Sequence, residues 1–158
     1  MLHPRILPFT YFAGTLYRQP YQWTYSSHLP ILTKVQTDGS YIRHSKRGGA
    51  GVFIVTPEGT FHKYAEPLFR LESSTEAEWA SVYYGMSLMK TMRKPIVGIE
   101  NDCLGVVRQI MLNDTGRHEY ARYYHHKIRE LGKEMEWCGI RWIPRGLNRA
   151  DSVLKELK

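Results

Sequence analysis

The residue pattern predicts an α/β chain with a five-stranded mixed sheet: a three-strand antiparallel meander, two further strands reached by crossovers, and helices on both faces. Three observations carry this expectation. Between Leu32 and Glu66, short runs rich in Val, Ile, Phe and Tyr are punctuated by turn residues, as in strands joined by tight loops. From Ser73 onward the apolar period becomes helical, broken by two short strand-like runs. The 158 residues, 42% hydrophobic and 23% charged, suit one domain with its own core rather than two.

Residues 1–33 differ from the rest. Pro4, Pro8, Pro20 and Pro30 stand among Phe9, Tyr11, Phe12, Tyr17, Tyr21, Trp23 and Tyr25. Prolines at that density exclude a long helix, and the segment is too aromatic for a disordered tail. An irregular arm packed on the domain, with one short strand at most, is expected, followed by a domain over residues 34–158. Leu32 to Thr37 reads as a strand closing at the turn Asp38-Gly39-Ser40. A basic loop, His44 to Gly49, leads into the strand Ala50 to Thr56, and Pro57-Glu58-Gly59 turns the chain into a third strand, Thr60 to Glu66. Ser73-Ser74-Thr75-Glu76 matches the capping box that starts a helix. That helix carries Ala77, Ser81, Tyr84 and Leu88 on one side and ends near Arg93, ahead of Pro95. Ile96 to Ile99 is a buried-looking strand running to Glu100-Asn101-Asp102. Leu104 to Leu112 is a second helix, and Tyr120, Tyr124, Ile128, Leu131 and Met135 mark one face of a third. Gly139 to Ile143 is the last strand, and Asn148 to Leu157 a short terminal helix.

The formal net charge of +7 favours a polyanionic partner, since each Lys or Arg that meets a phosphate displaces a counterion. Simple solubility would explain the charge equally well. An aromatic content of 13% tilts the balance toward nucleic acid, because bases stack on such rings. Cys103 and Cys138 form no metal-binding or disulfide spacing, so the cytoplasm or another reducing compartment is expected. No apolar run reaches the roughly 20 residues needed to cross a bilayer, and no membrane partner is expected. The acid-free start, with Arg5, also resembles some organelle transit peptides, although nothing in it reads as a secretory signal. A monomer is expected.

Four acidic residues fall at element ends in this reading: Asp38 after the first strand, Glu78 in the first turn of the first helix, Asp102 after the fourth strand and Asp151 at the start of the last helix. Carboxylates gathered at one sheet edge repel one another unless a cation compensates. Oxygen-only ligands suit Mg²⁺ or Mn²⁺ rather than zinc, and two such ions about 4 Å apart can drive an in-line phosphoryl displacement. Any one of the four, taken alone, reads equally as a solvated turn or cap residue.

Val35-Gln36-Thr37-Asp38-Gly39-Ser40, followed by Gly48-Gly49-Ala50-Gly51, resembles the first signature of the ribonuclease H family. Ser73-Ser74-Thr75-Glu76-Ala77-Glu78-Trp79, running to Gly85, is similar to the family's helix that begins Thr-Asn-Asn and reaches its catalytic glutamate five positions on. Glu100-Asn101-Asp102 resembles its third site, and Trp142-Ile143-Pro144-Arg145 with Asn148 and Ala150-Asp151 its fourth. The resemblance spans about Lys34 to Leu157 in the family's order, and four ordered motifs are far more specific than one.

The resemblance implies a ribonuclease H-like fold and an endonuclease that hydrolyses the RNA strand of RNA–DNA hybrids with two ions, Mg²⁺ or Mn²⁺. Asp38, Glu78, Asp102 and Asp151 would be both catalytic and metal-binding. Gly39, Ser40, Ser74, Thr75, Arg145, Asn148 and Arg149 would contact the nucleic acid. The motif makes Glu78, not Glu76, the catalytic glutamate. Helix geometry agrees, because residues two apart point about 200° from each other, and Glu76 is expected to cap the helix with Ser73.

The chain departs from the family pattern at three places. Ser74 and Thr75 stand where the family has two asparagines; their hydroxyls can still hydrogen-bond a 2′-hydroxyl, with shorter reach. One residue fewer separates Asn148 from Ala150-Asp151. The loop before Asp151 offers Arg145 and Arg149 where several members place a histidine, and neither can shuttle a proton at neutral pH.

Weaker signals remain. Arg117, His118, Arg122, His125, His126, Lys127, Arg129 and Lys133 form either a solvated face on the third helix or a basic protrusion that tracks phosphates. The adjacent His125 and His126 cannot share a face as zinc ligands do. Lys46-Arg47-Gly48-Gly49 reads as a hairpin turn, with phosphate contact as a second possibility. The alternatives to a hybrid-cleaving enzyme are a nuclease of the same fold with another nucleic-acid substrate and a non-catalytic nucleic-acid-binding module. The latter is disfavoured because a pure binder gains nothing from carboxylates near phosphates.

Overall fold

The computed structural model describes residues 7–15 and 32–156. Their elements in chain order are β1 (Thr10–Ala13), β2 (Thr33–Ile42), β3 (Arg47–Val55), β4 (Phe61–Leu68), α1 (Ser74–Thr91), β5 (Ile96–Asn101), α2 (Leu104–Leu112), α3 (Glu119–Lys133), β6 (Trp137–Trp142) and α4 (Ala150–Lys155). A 3-10 turn at Arg145–Leu147 precedes α4. The strands form one mixed sheet in the order β1-β6-β5-β2-β3-β4. β2, β3 and β4 pair antiparallel as the expected meander. β5 runs parallel to β2, with Val35 opposite Ile99, and β6 runs parallel to β5.

The sheet has six strands, not five. The extra one is β1, contributed by the proline-rich arm and paired antiparallel with β6. Its anchor is Phe9, whose ring fills a slot over two neighbouring strands. A Cβ at Gly98 would lie 2.6 Å from that ring, and one at Gly139 would lie 3.1 Å from the Phe9 Cβ. β1 thereby pairs the outer edge of β6, which would otherwise present unpaired backbone groups. The rest of the arm, residues 1–6 and 16–31, and residues 157–158 lie outside the described residues. Among the described residues, no helix is long and apolar enough to cross a membrane.

Alternation along the strands sends side chains to two faces. On one, Val35, Val52, Ile54, Val97 and Ile99 pack with Trp79, Val82 and Met86 of α1, Val106 and Ile110 of α2, and Ile128 of α3. On the other, Phe53 packs with Ala150 and Val153 of α4. The helix α1 lies close on the sheet because Gly85 has no side chain: a Cβ there would lie 2.8 Å from Thr37 Cγ2.

Several boundaries differ from expectation. β2 does not close at Asp38; it continues to Ile42 because Gly39 and Ser40 keep pairing with Ala50 and Gly49. The turn comes after Ile42, with Lys46 in the left-handed region at φ 57°. The Ser73 hydroxyl accepts from the Glu76 N–H at 3.1 Å, as a cap should. The Glu76 carboxylate, however, accepts from the N–H of Glu72 at 2.7 Å rather than from that of Ser73. Glu78 is the fifth residue of α1, and so lies in its second turn.

Candidate metal centre

Three elements deliver a carboxylate to one place. Asp38 lies mid-way along β2 opposite Gly51, Glu78 on α1, and Asp102 between β5 and α2. One carboxylate oxygen from each lies within 4.8 Å of the others. Glu78 reaches this point because α1 passes directly over Gly39. A Cβ on Gly39 would lie 2.2 Å from the Ala77 carbonyl oxygen and 2.6 Å from the Glu78 nitrogen. The same contact orients the acid: the Gly39 N–H donates to Glu78 Oε1 at 2.9 Å.

The fourth expected carboxylate stands beside the three rather than among them. Asp151, the second residue of α4, lines the same cavity of about 390 Å³ together with Ser40, Cys103 and Arg145. Its charge bears on Asp38, while its Oδ2 pairs with Lys155 at 3.2 Å.

This crowding shows in the acidities. Burial first, then the charges of Asp102 and Asp151, push the Asp38 carboxyl up to about 7. Burial, then Asp38 and Asp102, push Glu78 up to about 8, with the Gly39 N–H and Asn101 acting the other way. Asp102 is raised by burial, against lowering contacts from Asn148 and Arg145. Such a set of oxygen donors, short of positive partners, fits a hard divalent cation such as Mg²⁺ or Mn²⁺.

The residues expected to contact nucleic acid divide into three groups. Gly39, Ser40 and Arg145 line the acidic cavity. Ser74 and Thr75 are exposed at the N-terminal end of α1, outside the cavity lining. Asn148 and Arg149 do not line the cavity. Asn148 is buried, donating to the Thr37 carbonyl at 2.9 Å and to Asp102 Oδ2 at 3.4 Å; it holds Asp102 in place. The Arg149 guanidinium lies 5.3 Å from the ring centre of Phe53 and 5.8 Å from that of Phe61, in a separate cavity on the α4 face.

Two features had no counterpart in the sequence reading. Asn101 is fully buried and donates to the Thr37 carbonyl at 3.1 Å, to Thr37 Oγ1 at 3.0 Å and to Glu78 Oε1 at 3.4 Å. Its own oxygen accepts from the Cys103 N–H at 2.7 Å. It therefore ties together the elements that carry Asp38, Glu78 and Asp102. The available signal was an amide on the otherwise apolar side of Val97 and Ile99. The second is a buried ion pair between Glu100 and Arg141, each side chain 3% exposed, with Arg141 Nε donating at 2.8 Å. Gln36 donates to the other Glu100 oxygen at 2.9 Å, and Arg141 lies 4.0 Å over the Phe9 ring. Glu100 thus belongs to the packing of the opposite face and not to the acidic cluster.

The basic surface of α3 is also partly committed. Arg129 donates to the Phe12 carbonyl of β1 at 3.1 Å, and His125 is buried 6.0 Å from Trp79, ring to ring. Lys133 and His126 both face Glu130, at 3.4 and 3.9 Å.

A family model described as reverse transcriptase-like matches residues 36–155. Among curated proteins, none matches the chain in sequence. Among solved structures, ribonuclease H1 from the halophilic archaeon Halobacterium salinarum NRC-1 is similar with a TM-score of 0.70 at 19% identity, over 79% of this chain and 96% of that one. The N-terminal ribonuclease H domain of rv2228c from Mycobacterium tuberculosis is similar with a TM-score of 0.72 at 16% identity, over 80% and 92%. LC11-RNase H1, solved in complex with an RNA/DNA hybrid, is similar with a TM-score of 0.69 at 20% identity, over 78% and 94%. At these identities the likeness is one of fold.

Proposed function

Because this chain belongs to the reverse transcriptase-like family, a ribonuclease H-like family, we propose that it is a metal-dependent endonuclease hydrolysing the RNA strand of RNA–DNA hybrids. The observation that carries the reading is the convergence of Asp38, Glu78 and Asp102 within 4.8 Å, from three separate elements. Asp38, Glu78, Asp102 and Asp151 would hold two divalent cations, Mg²⁺ or Mn²⁺, whose chemistry when bound is to polarise the phosphoryl group and make water a better nucleophile.

The protein's own groups set up the rest. The Gly39 N–H and Asn101 fix the Glu78 carboxylate, and Asn148 fixes Asp102, so little reorganisation accompanies the reaction. Arg145, exposed at the rim of the cavity, meets a phosphate of the strand being cut. Ser74 and Thr75 present hydroxyls that can pair with a 2′-hydroxyl, the group that separates RNA from DNA. Asp38 and Glu78 retain protons near neutral pH until a cation displaces them, so cation binding releases protons.

The test is incubation of labelled hybrid, duplex DNA, duplex RNA and single strands, each with Mg²⁺, Mn²⁺ or EDTA. The expected product is a cut RNA strand from the hybrid alone, and only with metal. Cutting that survives EDTA overturns the metal reading, and preference for another duplex transfers the activity to that substrate. Binding without any cutting points to a nucleic-acid-binding module.

A further inference from the structure

The β2–β3 hairpin and the loop before α1 build a second basic feature, separate from the acidic cavity. Lys46, Arg47, Phe69, Arg70 and Glu72 line a cavity of about 710 Å³. The two segments are stitched together: the Lys46 N–H donates to the Ile42 carbonyl at 2.9 Å, and the Leu71 N–H donates to the Lys46 carbonyl at 2.9 Å. Leu71 is buried and anchors the loop beneath. Phe69 is 59% exposed, and the Arg47 guanidinium lies over its ring at 5.4 Å. Stacking of this kind holds the guanidinium while leaving its N–H groups free to bind an anion.

Among the described residues, Lys46, Arg47 and Arg70 make no ion pair; Glu72 is the lone carboxylate in the lining. Lys133 and Arg129 of α3, by contrast, already face Glu130 and the Phe12 carbonyl. The position of the hairpin relative to the acids is also defined. Asp38 and Ile42 are four residues apart on one strand, which is about 13 Å. The exposed Ser74 and Thr75 lie in sequence between Arg70 and Glu78.

We propose that the hairpin and the β4–α1 loop form a phosphate clamp that grips the nucleic-acid backbone about 13 Å along β2 from the acidic cluster. Lys46, Arg47 and Arg70 would contact the backbone, and Phe69 would orient Arg47. The clamp rests on the reading that the acidic cluster acts on nucleic acid, and its test is read by binding rather than by cutting.

The experiment measures hybrid affinity against salt in EDTA, with Asp38→Asn as the common background. Lys46→Asn and Arg70→Asn are combined because both positions have positive φ, at 57° and 55°, a conformation asparagine tolerates. Two lost phosphate contacts flatten the log–log salt slope by about two units at most. The charge-retaining pair Lys46→Arg/Arg70→Lys keeps the slope. Lys63→Ala/Lys90→Ala, which removes the same charge from residues paired with Glu156 and Glu134, keeps it too. A neutral methylphosphonate is then walked along either strand from a short ribonucleotide tract that defines the cut. It weakens binding at a discrete position outside that tract, and the Asn pair abolishes that penalty. An unchanged slope in the Asn pair, an equal fall in the Lys63/Lys90 control, or a penalty that survives in the Asn pair overturns the clamp. Absence of cutting by the wild type with Mg²⁺ would instead fall on the nuclease reading alone.

Discussion

Gly39→Ala separates the role of this glycine as a packing surface from the expectation that it contacts substrate. The new methyl would start 2.2 Å from the Ala77 carbonyl oxygen, against 3.4 Å for ordinary contact, so α1 and β2 must part by roughly 1 Å. The obstruction is backbone on both sides, which no rotamer change can relieve. Overpacking of this kind costs about 1–3 kcal/mol, and here the upper end is expected. The same displacement lengthens the Gly39 N–H to Glu78 bond, now 2.9 Å, and carries Glu78 away from Asp38 and Asp102. A shift near 1 Å in a reacting group lowers the rate by about a hundredfold. Gly105→Ala is the matched control, because nothing lies within 4 Å of that position in α2; alanine there stabilises the helix by about 0.5–1 kcal/mol and leaves the rate alone. Urea unfolding midpoints and hybrid turnover with Mg²⁺ read both effects. A Gly39→Ala protein with the wild-type midpoint and rate would refute the claim that close approach of α1 positions Glu78.

Three further outcomes follow from the same geometry. Asp38→Asn and Glu78→Gln each lower turnover by at least about three powers of ten, roughly 4 kcal/mol, whereas Glu76→Gln, whose carboxylate only meets the Glu72 N–H, stays near wild type in single-turnover rate. Without metal, stability falls as pH rises from about 4 to about 8. The native state keeps the protons on Asp38, at about 7, and on Glu78, at about 8, while the unfolded chain releases its own near 4. Below that window both states are protonated and the two groups contribute nothing; Mg²⁺ stabilisation should grow across it, and thermal melts at pH 5 and pH 8 with and without Mg²⁺ check the sign. Arg141→Met strands the Glu100 carboxylate in the sheet and should cost about 3–5 kcal/mol in urea unfolding, and replacing both partners with apolar residues should recover much of that loss.

The buried pair and the glycines share a physical theme. Residues that set the site are placed by how closely two elements approach, and that distance is governed by groups with little local signature. Gly85 and Gly39 bring α1 onto β2, and Gly98 and Gly139 make the slot for Phe9. Gly39 reads in sequence as a turn residue and a substrate contact, and nothing local marks any of the four as a point of close approach.

What the sequence determined by itself were properties set by neighbours along the chain. The compact apolar run Val52 to Val55, the cap at Ser73, the stop before Pro95 and the apolar run before Asp102 fixed element types because backbone dihedrals and local hydrogen bonds decide them. The family resemblance pointed to Glu78 over Glu76, and helical phase added only that the two point apart. Tertiary structure decided the rest. The extension of β2 past Asp38 depends on pairing with β3, and the sixth strand depends on the edge of β6 and the slot over Gly98. Asn148 could be named as a polar residue near Asp151, but only the approach of α4 to β2 turns it onto the Thr37 carbonyl and sends Arg149 to Phe53 and Phe61. The meeting of three acids within 4.8 Å is the extreme case. Their charges oppose it, nothing between residues 38 and 102 records it locally, and it exists because hydrophobic packing of α1 and β5 against β2 outweighs that repulsion.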